Sequence, residues 1–285
     1  MMAPHANGCR PRARPVKDLD RKPGRVFPGG GVAPRAKMGR FSMHQRMTAV
    51  KHRLFLFDLD DTLLDFKASE RLSFVRTMGE LGLHGELEPL FQQYQAINLA
   101  LWRAFEAGTV SKEVLKVERF RQTFVGNSLE LDPEKASSLY LESLSETVVL
   151  VDGAQALCES LAACGEVGII TNGVHHIQHR RIASSGLKGH ISFVATSEAC
   201  GHAKPDSRFF EFSARMARAR PFARHETVIV GDRLDADILG ANRFGIDSCW
   251  FNPAGLANDS LALPSCEVRA LDQVVPALRQ LALAA

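Results

Sequence analysis

The chain has 285 residues, 45% hydrophobic and 24% charged, which is ordinary globular material with enough length for one large domain, or a domain plus an insert, and a proper buried core. Its net charge of +3 hides a segregation: residues 1–53 carry 13 Lys and Arg against 2 Asp and Glu, and the remainder is acidic, with 22 against 30. No apolar run reaches the roughly 18 residues of a membrane span and no signal-type apolar segment precedes the first strand, so a membrane partner is excluded and a soluble, cytoplasmic protein is expected.

The elements begin after a leader, residues 1–50, rich in Pro, Gly and Arg and without any period that could bury a face; it reads as disordered. The favoured account is a start assigned too far upstream, with Met43 or Met47 as the true beginning, or a tail without function. A nucleic-acid arm lacks interleaved aromatics, and a transit peptide would be amphipathic rather than full of Pro and Gly. "RLFLFD", ending at Asp58, is a continuous apolar run suited to a strand covered on both faces. Residues 67–147 then offer no buried strand, only long amphipathic stretches such as "LEPLFQQYQAINLALWRAFEAG", read as four or five helices. Further strands are expected at "EVGIIT", "ISFVAT", "TVIVGD" and "DSCWF", with helical patterns between them, and a last covering helix at "LDQVVPALRQLALA" in which Pro276 makes an interruption or kink. This alternation predicts an α/β fold: a Rossmann-like, doubly wound parallel sheet from residues 51–66 and 148–285, with a helical domain, 67–147, inserted after the first strand.

In such a sheet ligands bind beyond the carboxyl ends of the strands. Three strands end there in Asp58, Thr171 and Asp232; Asp60 follows the first, and Lys204 of "GHAKPD" follows the weak one. Carboxylates, a hydroxyl and an amine at one edge make a site for a phosphoryl group and a divalent metal. Mg²⁺ is a hard ion that takes oxygen ligands and keeps waters, so two carboxylates, Asp58 and Asp232, plus a carbonyl suffice. The metal offsets repulsion between a carboxylate nucleophile and an anionic phosphate. Lys204 adds a positive charge, Thr171 offers its hydroxyl to a phosphoryl oxygen, and Asn172-Gly173 lets backbone N–H groups come close at a helix start. Along an extended segment Asp58 and Asp60 point to one side, so the first can attack while the second handles protons; Asp61 is a turn residue.

The stretches "DLDDT" (58–62), "TNG" (171–173), "KP" (204–205) and "GDRLDAD" (231–237) resemble, in order and spacing, the four motifs of the haloacid dehalogenase superfamily, over Leu54 to the C-terminus. The resemblance implies that Asp58 becomes an aspartyl-phosphate and that Asp60 protonates the leaving alcohol, then activates water. It implies that Thr171 and Lys204 hold the phosphoryl group, that Mg²⁺ sits on Asp58, the Asp60 backbone carbonyl and Asp232, and that Asp237 supports the metal from nearby. The second carboxylate, Asp60, is absent from the family's dehalogenases, so the chain looks like a phosphohydrolase, and the insert is the family's C1 cap. Tyr94–Phe120 resembles the cap of the pyrimidine 5′-nucleotidase branch, which acts on nucleoside monophosphates, noncanonical ones included. Asn98 and Trp102, four apart on one helix face, are its candidate base or sugar contacts. Arg233 departs from the family's usual Ser or Thr and changes the charge near the metal edge.

The rival readings are a phosphatase or mutase for a sugar phosphate or other small metabolite, and an idle binding protein that docks nucleic acid through its basic leader. His175, His176, His179 and His202 lack zinc-motif spacing and read as surface or loop residues. The six cysteines, Cys9, Cys158, Cys164, Cys200, Cys249 and Cys266, form no CxxC pair and read as reduced structural thiols.

Overall fold

The computed structural model describes residues 50–284, so the leader and every expectation attached to residues 1–49 lie outside the described residues. Continuous apolar runs become parallel strands: β1 (Leu54–Phe57), β2 (Glu166–Thr171), β3 (Phe193–Thr196), β4 (Thr227–Gly231), β5 (Asp247–Phe251) and β6 (Cys266–Val268). They form one six-stranded sheet in the order β3-β2-β1-β4-β5-β6, every pair parallel. The order reverses between β1 and β4, which puts Asp58 and Asp232 side by side at the switch point, where α/β sheets bind ligands.

Alternation along each strand supplies two cores. Phe55, Phe57, Val167, Ile169, Val228 and Val230 meet Leu157 and Leu161 of α5 (Ala154–Ala162) and Val274 and Leu278 of α10 (Val274–Ala284). Leu54, Leu56, Ile170 and Ile229 face the other way, onto Phe209 and Phe210 of α8 (Ser207–Arg215) and Phe244 of α9 (Leu239–Phe244). Pro276 does not interrupt the last helix. It sits in the first turn of α10, where a missing N–H removes no helical hydrogen bond.

Between β1 and α5 stand four helices: α1 (Phe66–Glu80), α2 (Glu88–Glu106), α3 (Lys112–Gly126) and α4 (Pro133–Glu146). Their starts follow from local chemistry, since Asp65, Ser111 and Asp132 each accept from a backbone N–H of the first turn, with Pro133 at the first helical position of α4. The interior is aromatic: Phe74, Phe91, Tyr94, Phe120, Phe124 and Tyr140, closed by Val174 and Ile177 at α6 (His175–Ser184). That continuity seats the insert over the carboxyl edge of the sheet.

Candidate active site

Asp58 directly follows β1, buried, with its Oδ1 accepting from Lys204 Nζ at 2.5 Å; the same ammonium donates to Asp237 Oδ1 at 2.7 Å. One carboxylate oxygen each from Asp58, Asp232 and Asp237 lies within 4.8 Å of the others. Asp237 arrives there because the chain opens into a π turn at Leu234–Ile238, with the N–H groups of Asp237 and Ile238 both donating to Arg233 O. Gly231 makes room for it: a Cβ there would stand 2.4 Å from Asp237 Cγ.

Two buried carboxylates, Asp58 and Asp237, share the Lys204 ammonium, with the half-buried Asp232 beside them. Burial, against the opposing charge of Lys204, pushes Asp58 up to about 7. Burial, then the charges of Asp58 and Asp237, pushes Asp232 well above the carboxylate range. For Lys204 burial alone would act downward, and the carboxylates Asp237 and Asp58 outweigh it, so the ammonium is held above its ordinary value. The surplus of negative charge, borne only by oxygen, fits a hard divalent cation. Asp237 lies in this cluster itself, although both its oxygens are engaged, by Lys204 Nζ and by the Arg233 N–H.

Asp60 stands apart from that cluster. Gln178 Nε2 donates to its Oδ2 at 2.6 Å and Arg181 Nη1 to its Oδ1 at 2.5 Å. Asp61, at φ 57°, turns the chain, and its Oδ1 accepts from the Phe66 and Lys67 N–H groups to open α1. Thr171 Oγ1 accepts from Gly173 N and Gln178 Nε2, which leaves its hydroxyl proton free to be donated. The Gly173 N–H, expected to approach a phosphate, is therefore committed to Thr171. The Asn172 side chain is likewise committed: its Oδ1 accepts from Lys204 N, and its Nδ2 donates to Lys204 O and Glu106 Oε1.

A cavity of about 650 Å³ runs from these strand ends into the insert, lined by Asp58, Asp60, Thr171, Lys204 and Asp232 below and by Glu70, Asn98, Trp102 and Arg119 above. Asn98 is buried, its Nδ2 donating to Glu70 Oε1 at 2.8 Å and its Oδ1 accepting from Arg119 Nη1 at 3.3 Å. Arg119 lies over the Tyr140 ring at 4.5 Å. Trp102 is half-buried, edge-on to Phe105.

Sequence reasoning did not foresee how the insert is tied down. Arg233 forms a bidentate pair with Glu106 at the end of α2, Nη1–Oε1 at 2.5 Å and Nη2–Oε2 at 2.8 Å. Lys112, at the start of α3, is buried with Nζ donating to Asn172 O, Gly173 O and Ser197 Oγ. The charge change at position 233 thus faces the insert. Of the histidines, His175 Nδ1 meets Thr196 Oγ1 at 2.7 Å, and none joins a metal cluster among the described residues.

Carboxylates, a hydroxyl and a lysine gathered at the carboxyl edge of a parallel sheet, beneath a helical insert, define a phosphohydrolase. A model of the family described as haloacid dehalogenase-like hydrolase matches residues 55–251, and the chain belongs to that family. It is similar to the pyrimidine 5′-nucleotidase PynA of Streptococcus pneumoniae, 33% identical over 80% of this chain and 95% of that protein. The pyrimidine 5′-nucleotidase YjjG of Escherichia coli is 30% identical over 70% and 89%. A ribulose-1,5-bisphosphate 5-phosphatase of Halopiger xanaduensis is 31% identical over 70% and 84%. Among solved structures, the HAD-hydrolase YfnB from Bacillus subtilis, bound to magnesium, superposes with a TM-score of 0.74 at 33% identity, over 80% of this chain and 98% of that one. No described helix is long and apolar enough to cross a membrane.

Proposed function

We propose that this phosphatase is a Mg²⁺-dependent 5′-nucleotidase that prefers pyrimidine nucleoside monophosphates, noncanonical bases included. The observation that carries the reading is the single cavity joining the strand-end carboxylates to the amide of Asn98, which spans a phosphate at one end and a base at the other. The two nucleotidase relatives, at 33% and 30% identity, support it.

In the first step an Asp58 carboxylate oxygen attacks phosphorus, the bond from phosphorus to the ester oxygen breaks, and Asp60 delivers a proton to that oxygen, releasing nucleoside. In the second, Asp60 takes a proton from water, whose oxygen bonds to phosphorus as the phosphorus–Asp58 oxygen bond breaks, restoring the carboxylate and releasing phosphate. Lys204 and the free hydroxyl proton of Thr171 stabilise the phosphoryl oxygens throughout. Asp58, Asp232 and the Asp60 carbonyl would hold Mg²⁺, with Asp237 beside them, and the ion would supply charge neutralisation between nucleophile and phosphate. The helices of residues 67–147 serve as a cap over residues 51–66 and 148–285.

The test is phosphate release with Mg²⁺ from a panel of nucleoside monophosphates and sugar phosphates, with Asp58→Asn as control. Pyrimidine monophosphates should lead, and the variant should fall by at least about 1,000-fold on every substrate. Sugar-led activity would keep the phosphatase and overturn the nucleotide reading in favour of a small-metabolite substrate, the direction in which the ribulose-bisphosphatase relative points.

A further inference from the structure

We propose that Gln178 and Arg181, on consecutive turns of α6, are positioning residues that set the carboxylate of Asp60 for proton transfer. The inference rests on the reading of Asp60 as the proton carrier. Asp60 follows Asp58 by two positions on the same side of the chain, so its carboxylate needs something that keeps it off the metal cluster and fixes its rotation. The structure supplies two donors from one helix, one for each oxygen: Arg181 Nη1 to Oδ1 at 2.5 Å and Gln178 Nε2 to Oδ2 at 2.6 Å. Each oxygen keeps a second lone pair for the proton in transit.

The orientation of the Gln178 amide is determined by its neighbours. Its Oε1 accepts from Arg181 Nη1 at 3.0 Å, a group that can only donate, so Nε2 must face Asp60 and Thr171 Oγ1, the latter at 3.1 Å. One amide thereby sets both the proton carrier and the phosphate-binding hydroxyl. Gly173 is shaped to it: a Cβ there would stand 2.1 Å from Gln178 Nε2. Any side chain at position 173 displaces the amide.

Arg181 is among the largest fully buried side chains, and its Nε and Nη2 have no hydrogen-bond partner among the described residues. A buried guanidinium with two idle donors is costly, and its charge is balanced by Asp60, the carboxylate it pairs with. Burying an arginine merely to pack a helix would be a poor use of it, since an aliphatic side chain would serve better. Its presence is explained by the carboxylate it holds.

The experiment compares kcat/KM for an alkyl phosphate that the enzyme hydrolyses, a nucleoside monophosphate first, with kcat/KM for 4-nitrophenyl phosphate, whose leaving group departs without a proton. Damage to phosphate binding or to Thr171 affects both substrates and cancels in the ratio. Because kcat/KM ends at phosphoenzyme formation, misplacing Asp60 penalises it for the alkyl ester alone, while the later attack of water slows for both substrates. In Arg181→Met and in Gln178→Ala the alkyl-to-aryl ratio should drop by about 10-fold or more, with part of the loss restored in Arg181→Lys. A ratio within about 2-fold of wild type in the folded variants, as judged by circular dichroism and thermal melting, overturns the proposal. Should Arg181→Met fail to fold, Gln178→Ala, which removes no buried charge, decides by the same ratio. Asp60→Asn is run beside them. If it leaves the ratio unchanged, the reading of Asp60 itself has failed; if it collapses the ratio and the other variants do not, only the positioning role has failed.

Discussion

The two ends of the cavity are built on opposite electrostatic plans. At the sheet edge, Asp58, Asp232 and Asp237 crowd within reach of one another around a single lysine, and the site is left short of positive charge. On the wall of the insert, Glu70, Asn98 and Arg119 form a chain in which one carboxylate answers one guanidinium through a neutral amide. An unbalanced cluster stores a demand for a cation and raises the energy of ionised Asp58 and Asp232, which suits bond making and breaking. A balanced chain makes no such demand, and its value lies in the fixed direction of its donors and acceptors, which suits choosing a substrate.

That contrast breaks most visibly at Lys204. Lys204→Met leaves Asp58 and Asp237 buried without their cation, so we expect a loss of roughly 3 kcal/mol in chemical denaturation together with loss of activity on all esters. Part of that stability should return on adding a divalent cation; if none does, the edge is not a cation site. In the insert, Asn98→Ala should lower kcat/KM for nucleoside monophosphates by about 10-fold while 4-nitrophenyl phosphate stays within about 3-fold, since the variant takes from Glu70 and Arg119 the amide that links them without touching the edge. Equal losses on both substrates would erase the distinction between the two ends.

Smaller effects sharpen the comparison. Arg233→Ser removes the bidentate partner of Glu106 and loosens the tie between insert and edge, so KM should rise for every substrate by about 3-fold with kcat less affected. Glu70 carries the smallest signal and the one specific to the wall. Burial, against hydrogen bonds from Gln95 and Asn98 and the charge of Arg119, raises its pKa above the ordinary 4.5. The folded chain then holds this proton more tightly than the unfolded chain, so the contribution of Glu70 to stability declines as pH climbs from 4.5 through the raised value. Glu70→Gln should remove this slope, seen as a melting-temperature difference between variant and wild type that shifts in favour of the variant as pH increases over that range.

What could be read in the sequence follows the same division. β2 and β5 match apolar runs residue for residue, and β1 and β4 stop where Asp58 and Asp232 break such runs, because a buried parallel strand needs an unbroken apolar segment and its end is marked by the first charge. The three residues of β6 carry no period, and nothing in Cys266–Val268 separates them from a loop. The resemblance to known motifs drew attention to the edge. It gave no hint of Gln178 and Arg181, since "HHIQHRRIAS" reads as a polar helix and burial of both side chains is decided by Asp60, more than a hundred positions earlier. Glu106 and Arg233, 127 positions apart, are invisible for the same reason. Charges whose partners come from distant loops look like solvated surface until the fold brings them together.

The most direct test of the division is the ratio of kcat/KM for a pyrimidine nucleoside monophosphate to kcat/KM for 4-nitrophenyl phosphate, measured side by side in Asp237→Asn and Asn98→Ala. Asp237→Asn should lower both constants and leave the ratio near wild type, while Asn98→Ala should lower the ratio by about 10-fold. A ratio that drops in Asp237→Asn, or holds in Asn98→Ala, would contradict the division.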